Sequence, residues 1–343
     1  MTVFFRCDVG GLFGLGHSHR LKTLATALHA EVPGLPLVFV TTTPALGDIV
    51  GQDGTPWSLL SCLDEWTACE TVRTQAQPGD VMIFDEPARG SWVKGLWRQK
   101  LAPEIAVVRI DAPQAERYSC DLLILPGAHY AADDLERLDA AFGERLLVGA
   151  EYVLLRKETL VPSHGAFMHH PWFTFWAGGS DPGNALALLL HMTTPVSQCL
   201  PHVQHIYCMG IHRASLVVPP VPPQVWITGC DISYIREASV FVSLWGTTVY
   251  EALALGRPTL TIARTEAEAE DAARLEAATE GAVQSLGTLA GLMRETLCDR
   301  LVALWEDVGE RKRMHYASAG LLDGKGAERV ARAVLRFTKG VNE

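Results

Sequence analysis

Short β-rich apolar runs alternate with amphipathic helical stretches along this chain, and the alternation breaks off once and begins again. In the first half, Thr2 to Cys7, Leu37 to Thr41, Val81 to Phe84, Ile105 to Ile110 and Asp121 to Leu125 read as strands. Ser18 to Glu31 reads as a helix with Leu21, Leu24, Ala25 and Leu28 on one face. Strands and helices in this rhythm build right-handed βαβ units around a parallel sheet. After a polar stretch from Lys157 to Pro171 the rhythm restarts. Trp172 to Ala177, His205 to Met209, Val225 to Thr228, Val240 to Leu244 and Thr259 to Ala263 read as strands. Between or after them Pro182 to Met192, Ile232 to Ala238, Thr248 to Leu255, Glu266 to Ala278, Leu289 to Leu304 and Ala327 to Phe337 read as helices. The expected organisation is two doubly wound α/β domains, 1–157 and 158–343, facing each other across a cleft at their strands' carboxyl ends.

The 343 residues suit two such domains, each able to bury its own core. With 29 Lys+Arg against 39 Asp+Glu, the net charge of −10 argues against a nucleic-acid binder. No apolar stretch reaches the roughly 18 residues of a membrane span, and the start does not resemble a signal peptide, so a cytoplasmic protein is expected. The eight cysteines are scattered without a CxxC pair, which suggests reduced thiols. The pairs His17/His19 and His169/His170 do not have the spacing of a chelate, and neither a metal nor a cofactor is expected.

Three glycine-containing loops hold the candidate chemistry. The first, Gly10 to Gly16, follows a strand and opens the helix that carries His17 and Arg20. A histidine at a helix amino terminus is disfavoured as imidazolium and is a candidate base, although a capping His17 and a snorkelling Arg20 fit equally well. The second, Gly178-Gly179-Ser180-Asp181-Pro182, offers backbone N–H groups to an anion, with Asp181 read first as a helix cap. The third is Trp245-Gly246-Thr247-Thr248, suited to a diphosphate. Glu251, one turn on, either accepts from ribose hydroxyls or completes a capping box with Thr248. Asp8, Asp85 and Asp111 each follow an apolar strand and stand at the sheet's mouth, as site carboxylates or as loop caps.

Taken together and in order, these segments resemble the UDP-sugar hydrolases of pseudaminic acid biosynthesis, within the wider GT-B glycosyltransferase superfamily. Arg6-Cys7-Asp8 and Gly14-Leu15-Gly16-His17-Ser18-His19-Arg20 carry the likeness first. It continues through Asp85, Ile110-Asp111, Arg117 and Cys120-Asp121-Leu122-Leu123. Gly149-Ala150-Glu151-Tyr152-Val153-Leu154-Leu155-Arg156, Gly178 to Pro182, and Thr247-Thr248 with Glu251 complete it. The resemblance implies a GT-B fold and release of UDP from a UDP-2,4-diacetamido-2,4,6-trideoxyhexose by water, with inversion and without a metal. It implies His17 as the group that positions or deprotonates the water, with Asp8 a carboxylate near the oxocarbenium-like centre. Sugar contacts are expected at Gly14, Gly16, Arg20, Asp85, Tyr152, Gly178, Gly179 and Ser180. UDP contacts are expected at Gly210, Ile211, Gly246, Thr247, Thr248 and Glu251. Three segments depart from the family pattern: Trp245-Gly246 in place of two glycines, Ala263-Arg264-Thr265-Glu266 in place of an Asn-Gln pair, and Asp85-Glu86-Pro87 in place of Asp-X-Tyr. They leave open a GT-B glycosyltransferase using a nucleotide-sugar donor, or a relative that binds a nucleotide sugar without turnover.

Overall fold

A computed structural model describes the chain apart from residues 11–13, 52–53, 86–90, 116–118, 161–170, 182, 211–220 and 341–343. It divides into two units, 1–155 with 324–343, and 156–323.

The first unit runs β1 (Val3–Arg6), α1 (Gly16–Glu31), β2 (Leu37–Thr41), α2 (Leu46–Val50), β3 (Ser58–Ser61), α3 (Glu65–Gln75), β4 (Val81–Phe84) and α4 (Ser91–Lys100). It continues β5 (Ala106–Ile110), β6 (Leu122–Pro126), α5 (Ala132–Phe142) and β7 (Leu146–Gly149). All neighbouring strands are parallel, in the order β3-β2-β1-β4-β5-β6-β7. β1, β4, β5 and β6 are buried along their whole length, which is why they read as unbroken apolar runs.

The second unit runs β8 (Trp172–Trp176), α6 (Ala185–Cys199), β9 (Gln204–Met209), β10 (Val225–Gly229), α7 (Ile232–Arg236), β11 (Val240–Leu244), α8 (Thr247–Ala254) and β12 (Thr259–Ala263). α9 (Glu266–Ala278), β13 (Val283–Thr288), α10 (Arg294–Glu306) and α11 (Val308–Ser318) follow. Its parallel order is β10-β9-β8-β11-β12-β13. Chain order therefore reverses between β1 and β4 in the first sheet and between β8 and β11 in the second. Such switch points open a crevice at the strands' carboxyl ends, where ligands of doubly wound sheets bind.

The last helix, α12 (Gly326–Gly340), corrects the expected 158–343 domain, because it belongs to the first unit. Val330, Ala331 and Val334 are buried in the same apolar cluster as β1 and α1, and Arg332 pairs with Glu31 at 2.7 Å. Gly326 is needed for the approach: a Cβ there would stand 2.1 Å from the Val153 carbonyl oxygen. α6 also begins later than the expected Pro182. Asp181, Gly183 and Asn184 have φ of 41°, 88° and 58°, which no right-handed helix accommodates.

Among the described residues of the second core, His205 is a buried polar side chain with nothing to bond. His205 on β9 is fully buried, its ring lies 5.4 Å from that of Phe173 and 5.8 Å from that of Phe175, and neither ring nitrogen has a hydrogen-bond partner. Burial pushes its pKa down to about 4. The unfolded chain therefore takes up this proton more readily than the folded one, so the folded state loses stability as pH falls below about 6.5 towards 4. The loss from this residue is expected to reach about 3 kcal/mol. In urea titrations at pH 7 and pH 4, His205→Phe should narrow the difference in unfolding free energy by that amount. An unchanged difference would assign the acid sensitivity elsewhere.

Candidate functional site

At the switch point of the first sheet, α1 lies over the end of β4, and His17 is in its first turn. The His17 Nδ1 stands 2.6 Å from Oδ1 of Asp85, the residue that follows β4. Arg20, one turn further along α1, donates from Nε to Asp85 Oδ2 at 2.8 Å and from Nη2 to Oδ1 at 2.6 Å. Its Nη1 donates to Asp111 Oδ2 at 2.8 Å, and the Tyr130 hydroxyl donates to Asp111 Oδ1 at 2.9 Å. Burial works against the charge on Asp85 and on Asp111, but the Arg20 guanidinium outweighs it and holds both carboxyls below their ordinary range. Burial likewise opposes the charge on Arg20, and the two carboxylates raise its pKa further still.

An ionised Asp85 can accept but not donate, so the 2.6 Å contact places the shared proton on His17 Nδ1. This fixes the tautomer and leaves Nε2 as the nitrogen able to take a proton. Arg20 Nη2 also lies 3.2 Å from Nδ1, but both are then donors, and the shorter bond to the carboxylate decides the arrangement. A histidine oriented through Nδ1 by a buried aspartate is the arrangement of a general base. Gly14, with φ of 69°, closes the preceding loop by accepting from Gly10 N at 3.3 Å, and Gly16 opens α1.

Asp8, expected beside the reacting carbon, is held by a set of bonds of its own. Its carboxylate is buried and accepts from both Nη atoms of Arg6, at 2.8 and 2.9 Å. It also accepts from Thr41 Oγ1, Thr42 N and Thr42 Oγ1 at 2.7–2.8 Å. Arg6 in turn binds Glu65, which accepts from Trp97 Nε1 at 2.5 Å. With so many donors already on it, Asp8 ties the loop after β1 to the loop after β2. Tyr152 is half-buried, packed against the first unit's apolar core beside the start of α12. That is a packing position. Arg117, Glu86, Pro87, His169 and His170 lie outside the described residues.

In the second unit, the loops after β8, β9 and β11 carry the other expected residues. Gly178, Gly179 and buried Ser180 follow β8, and Gly210 follows β9. These two loops touch backbone to backbone: a Cβ on Gly210 would lie 1.9 Å from the Gly179 carbonyl oxygen. Gly210→Ala should therefore force the loops apart and lower the unfolding free energy by about 1–3 kcal/mol. Denaturant titration checks the size, and an unaffected midpoint would show that the approach is not needed for folding. Ile211 lies outside the described residues. Asp181 does cap α6, accepting from Ala185 N at 2.8 Å and Leu186 N at 3.2 Å.

Gly246 is the amino-terminal cap of α8, with φ of 157°, and Thr247 and Thr248 form the first turn. That places Glu251 too far along the helix for a capping box with Thr248. Instead Arg156 donates from Nε and Nη2 to the two Glu251 carboxylate oxygens, at 2.5 and 2.6 Å. Burial disfavours the Arg156 charge, yet Glu251 more than offsets this and raises its pKa. Each Glu251 oxygen keeps a second lone pair for another donor. Sequence reasoning missed this pair, as it missed Tyr130; Arg156 stands 95 residues from Glu251, and no local pattern links them. Two of the departing segments meet: Arg264 pairs with Glu268 at 2.6 Å and donates to the Trp245 carbonyl at 3.4 Å. Thr265 caps α9 through Glu268 N.

The fold is the GT-B fold. The chain is similar over 98% of its length to the kitacinnamycin glycotransferase, covering 98% of that chain at 14% identity with a TM-score of 0.70. All of it aligns with 98% of S. aureus MnaA, solved with UDP, at 13% identity and a TM-score of 0.71. It is also similar to the UDP-GlcNAc 2-epimerase of Neisseria meningitidis bound to UDP-GlcNAc: 98% of this chain, 100% of that one, 10% identity, TM-score 0.62. No family model and no curated protein sequence matches the chain. Among the described residues no helix is long and apolar enough to cross a membrane.

Proposed function

We propose that this chain is an enzyme acting on a nucleotide sugar, moving the glycosyl group from the diphosphate to an O–H nucleophile with His17 as general base. The observation that carries the proposal is the 2.6 Å contact between His17 and buried Asp85 at a sheet switch point. Names of similar folds, glycosyltransferases and UDP-GlcNAc epimerases, support a nucleotide-sugar substrate. His17 Nε2 takes the proton of the nucleophile as its oxygen bonds the anomeric carbon. The bond from that carbon to the phosphate oxygen breaks, and its electron pair leaves with the nucleotide diphosphate. Attack opposite the leaving group inverts the carbon. In the second unit, the first turn of α8 after Gly246 is assigned to the diphosphate, where the helix dipole favours negative charge. Glu251, steadied by Arg156, is assigned to the ribose hydroxyls.

With a hydroxyl acceptor the reaction is glycosyl transfer. The motif run Gly14-Leu15-Gly16-His17 favours a second reading in which water is the nucleophile and the substrate is a UDP-2,4-diacetamido-2,4,6-trideoxyhexose. Release of UDP from a panel of UDP-sugars, with and without hydroxyl acceptors, tests both. Release that depends on an acceptor supports transfer, and release in buffer supports hydrolysis. No release with any donor or acceptor would overturn the proposal.

A further inference from the structure

We infer that Asp111 is a positioning residue for His17, acting through Arg20 to keep a net negative charge beside the imidazole. The inference rests on the reading of His17 as the base. Arg20 lies between two carboxylates and binds both, with Asp85 at 2.6 and 2.8 Å and Asp111 at 2.8 Å. With a neutral ring, one guanidinium and two carboxylates sum to 1 − 2 = −1. Once Nε2 has taken the proton, the sum is zero. With Asp85 as the sole carboxylate, Arg20 would already be balanced, and an imidazolium would form as an excess positive charge in a largely buried cluster. Asp111 thus supplies the charge that proton transfer neutralises.

The position of Asp111 is held for this purpose from two directions. Its backbone has φ of 56°, a conformation that turns the chain sharply after β5, and its Oδ1 accepts from the Tyr130 hydroxyl at 2.9 Å. Among the described residues, the charged and titratable groups that bond to His17, Arg20 or Asp111, or act on Asp111, come from four elements. They are Arg20 on α1, Asp85 after β4, Asp111 after β5, and His129 with Tyr130 after β6. The His129 ring lies 4.1 Å from that of Tyr130; when protonated it favours the ionised form of Asp111, and when neutral it leaves the sum of −1 unchanged. Asp8 lies in a buried network with Arg6 and Glu65, whose charges sum to 1 − 2 = −1.

The test is a pH titration of the His17 ring by 15N NMR in the full chain, assigned by loss of its signals in His17→Ala. Asp111→Asn and Asp111→Gly both remove the charge, and Asn and Gly both accept a positive φ, so one can stand in if the other fails to fold. The midpoint of His17 is expected to fall by about one pH unit, a tenfold weaker proton affinity. Tyr130→Phe removes a hydrogen bond while leaving the charge, and should move the midpoint by less than about a third of that. An unmoved midpoint in folded Asp111→Asn or Asp111→Gly overturns the inference, and so does an equal shift in Tyr130→Phe. The titration needs no substrate, so an absence of turnover would count against the proposed function and leave this result standing.

Discussion

His17→Ala is expected to lower turnover of the nucleotide sugar by about 10²–10⁴-fold, the usual contribution of a general base. The loss should appear in kcat more than in KM, because the ring takes its proton as the nucleophile attacks and adds little to ground-state binding. His17 is partly exposed at the start of α1, its side chain at 21%, and removing it leaves Asp85 bound to Arg20, so the fold should survive. The unfolding midpoint of the variant checks that. Nucleotide affinity should be retained, since the loops assigned to UDP lie in the second unit. A folded His17→Ala protein that turns over at the wild-type rate would remove the imidazole from the mechanism.

Asp8→Ala is expected to fail in a different way, by losing about 3–5 kcal/mol of folding free energy. The cost comes from what remains: Glu65 still balances the Arg6 charge, but the fully buried guanidinium loses both of its bonds to Asp8. Thr42 N loses its acceptor as well. The stability lent by ionised carboxylates with depressed pKa values is present at neutral pH and is lost as pH falls through the folded-state values. For Asp85 and Asp111, that loss begins as pH falls into the ordinary carboxylate range, where the unfolded chain takes up protons, and is complete below their folded-state values. Denaturant titration of Asp8→Ala at pH 7 measures the cost directly. If it unfolds at the same denaturant concentration as wild type and yet loses turnover, Asp8 belongs to the chemistry after all.

These two aspartates look alike in the sequence. Each follows a buried apolar strand, and strand-end position marks both as site candidates. Asp8 is taken up by Arg6, two residues before it, and by the threonines after β2. Asp85 is taken up by α1, which packs over the end of β4. The strands themselves were legible where they are buried on both faces. β3 and β13, at the edges of their sheets and bearing serine, glutamine and threonine, gave no apolar run to read. The alternatives left open for Glu251 were local ones, a cap or a ribose acceptor, whereas its partner Arg156 comes from far earlier in the chain.

Hydrophobic periodicity and the punctuation of glycine and proline act over a few residues. They were enough to determine two doubly wound α/β units, the loops that follow their central strands, and His17 at the start of a helix. Which strand lies beside which is decided by packing across the whole unit, and there local pattern has no purchase. The bonds that define the site join residues 68 positions apart for His17 and Asp85, 65 for Arg20 and Asp85, and 91 for Arg20 and Asp111. The same physics returned α12 to the first unit: Val330, Ala331 and Val334 are buried in that unit's core, and a glycine at residue 326 lets the helix approach the backbone at Val153.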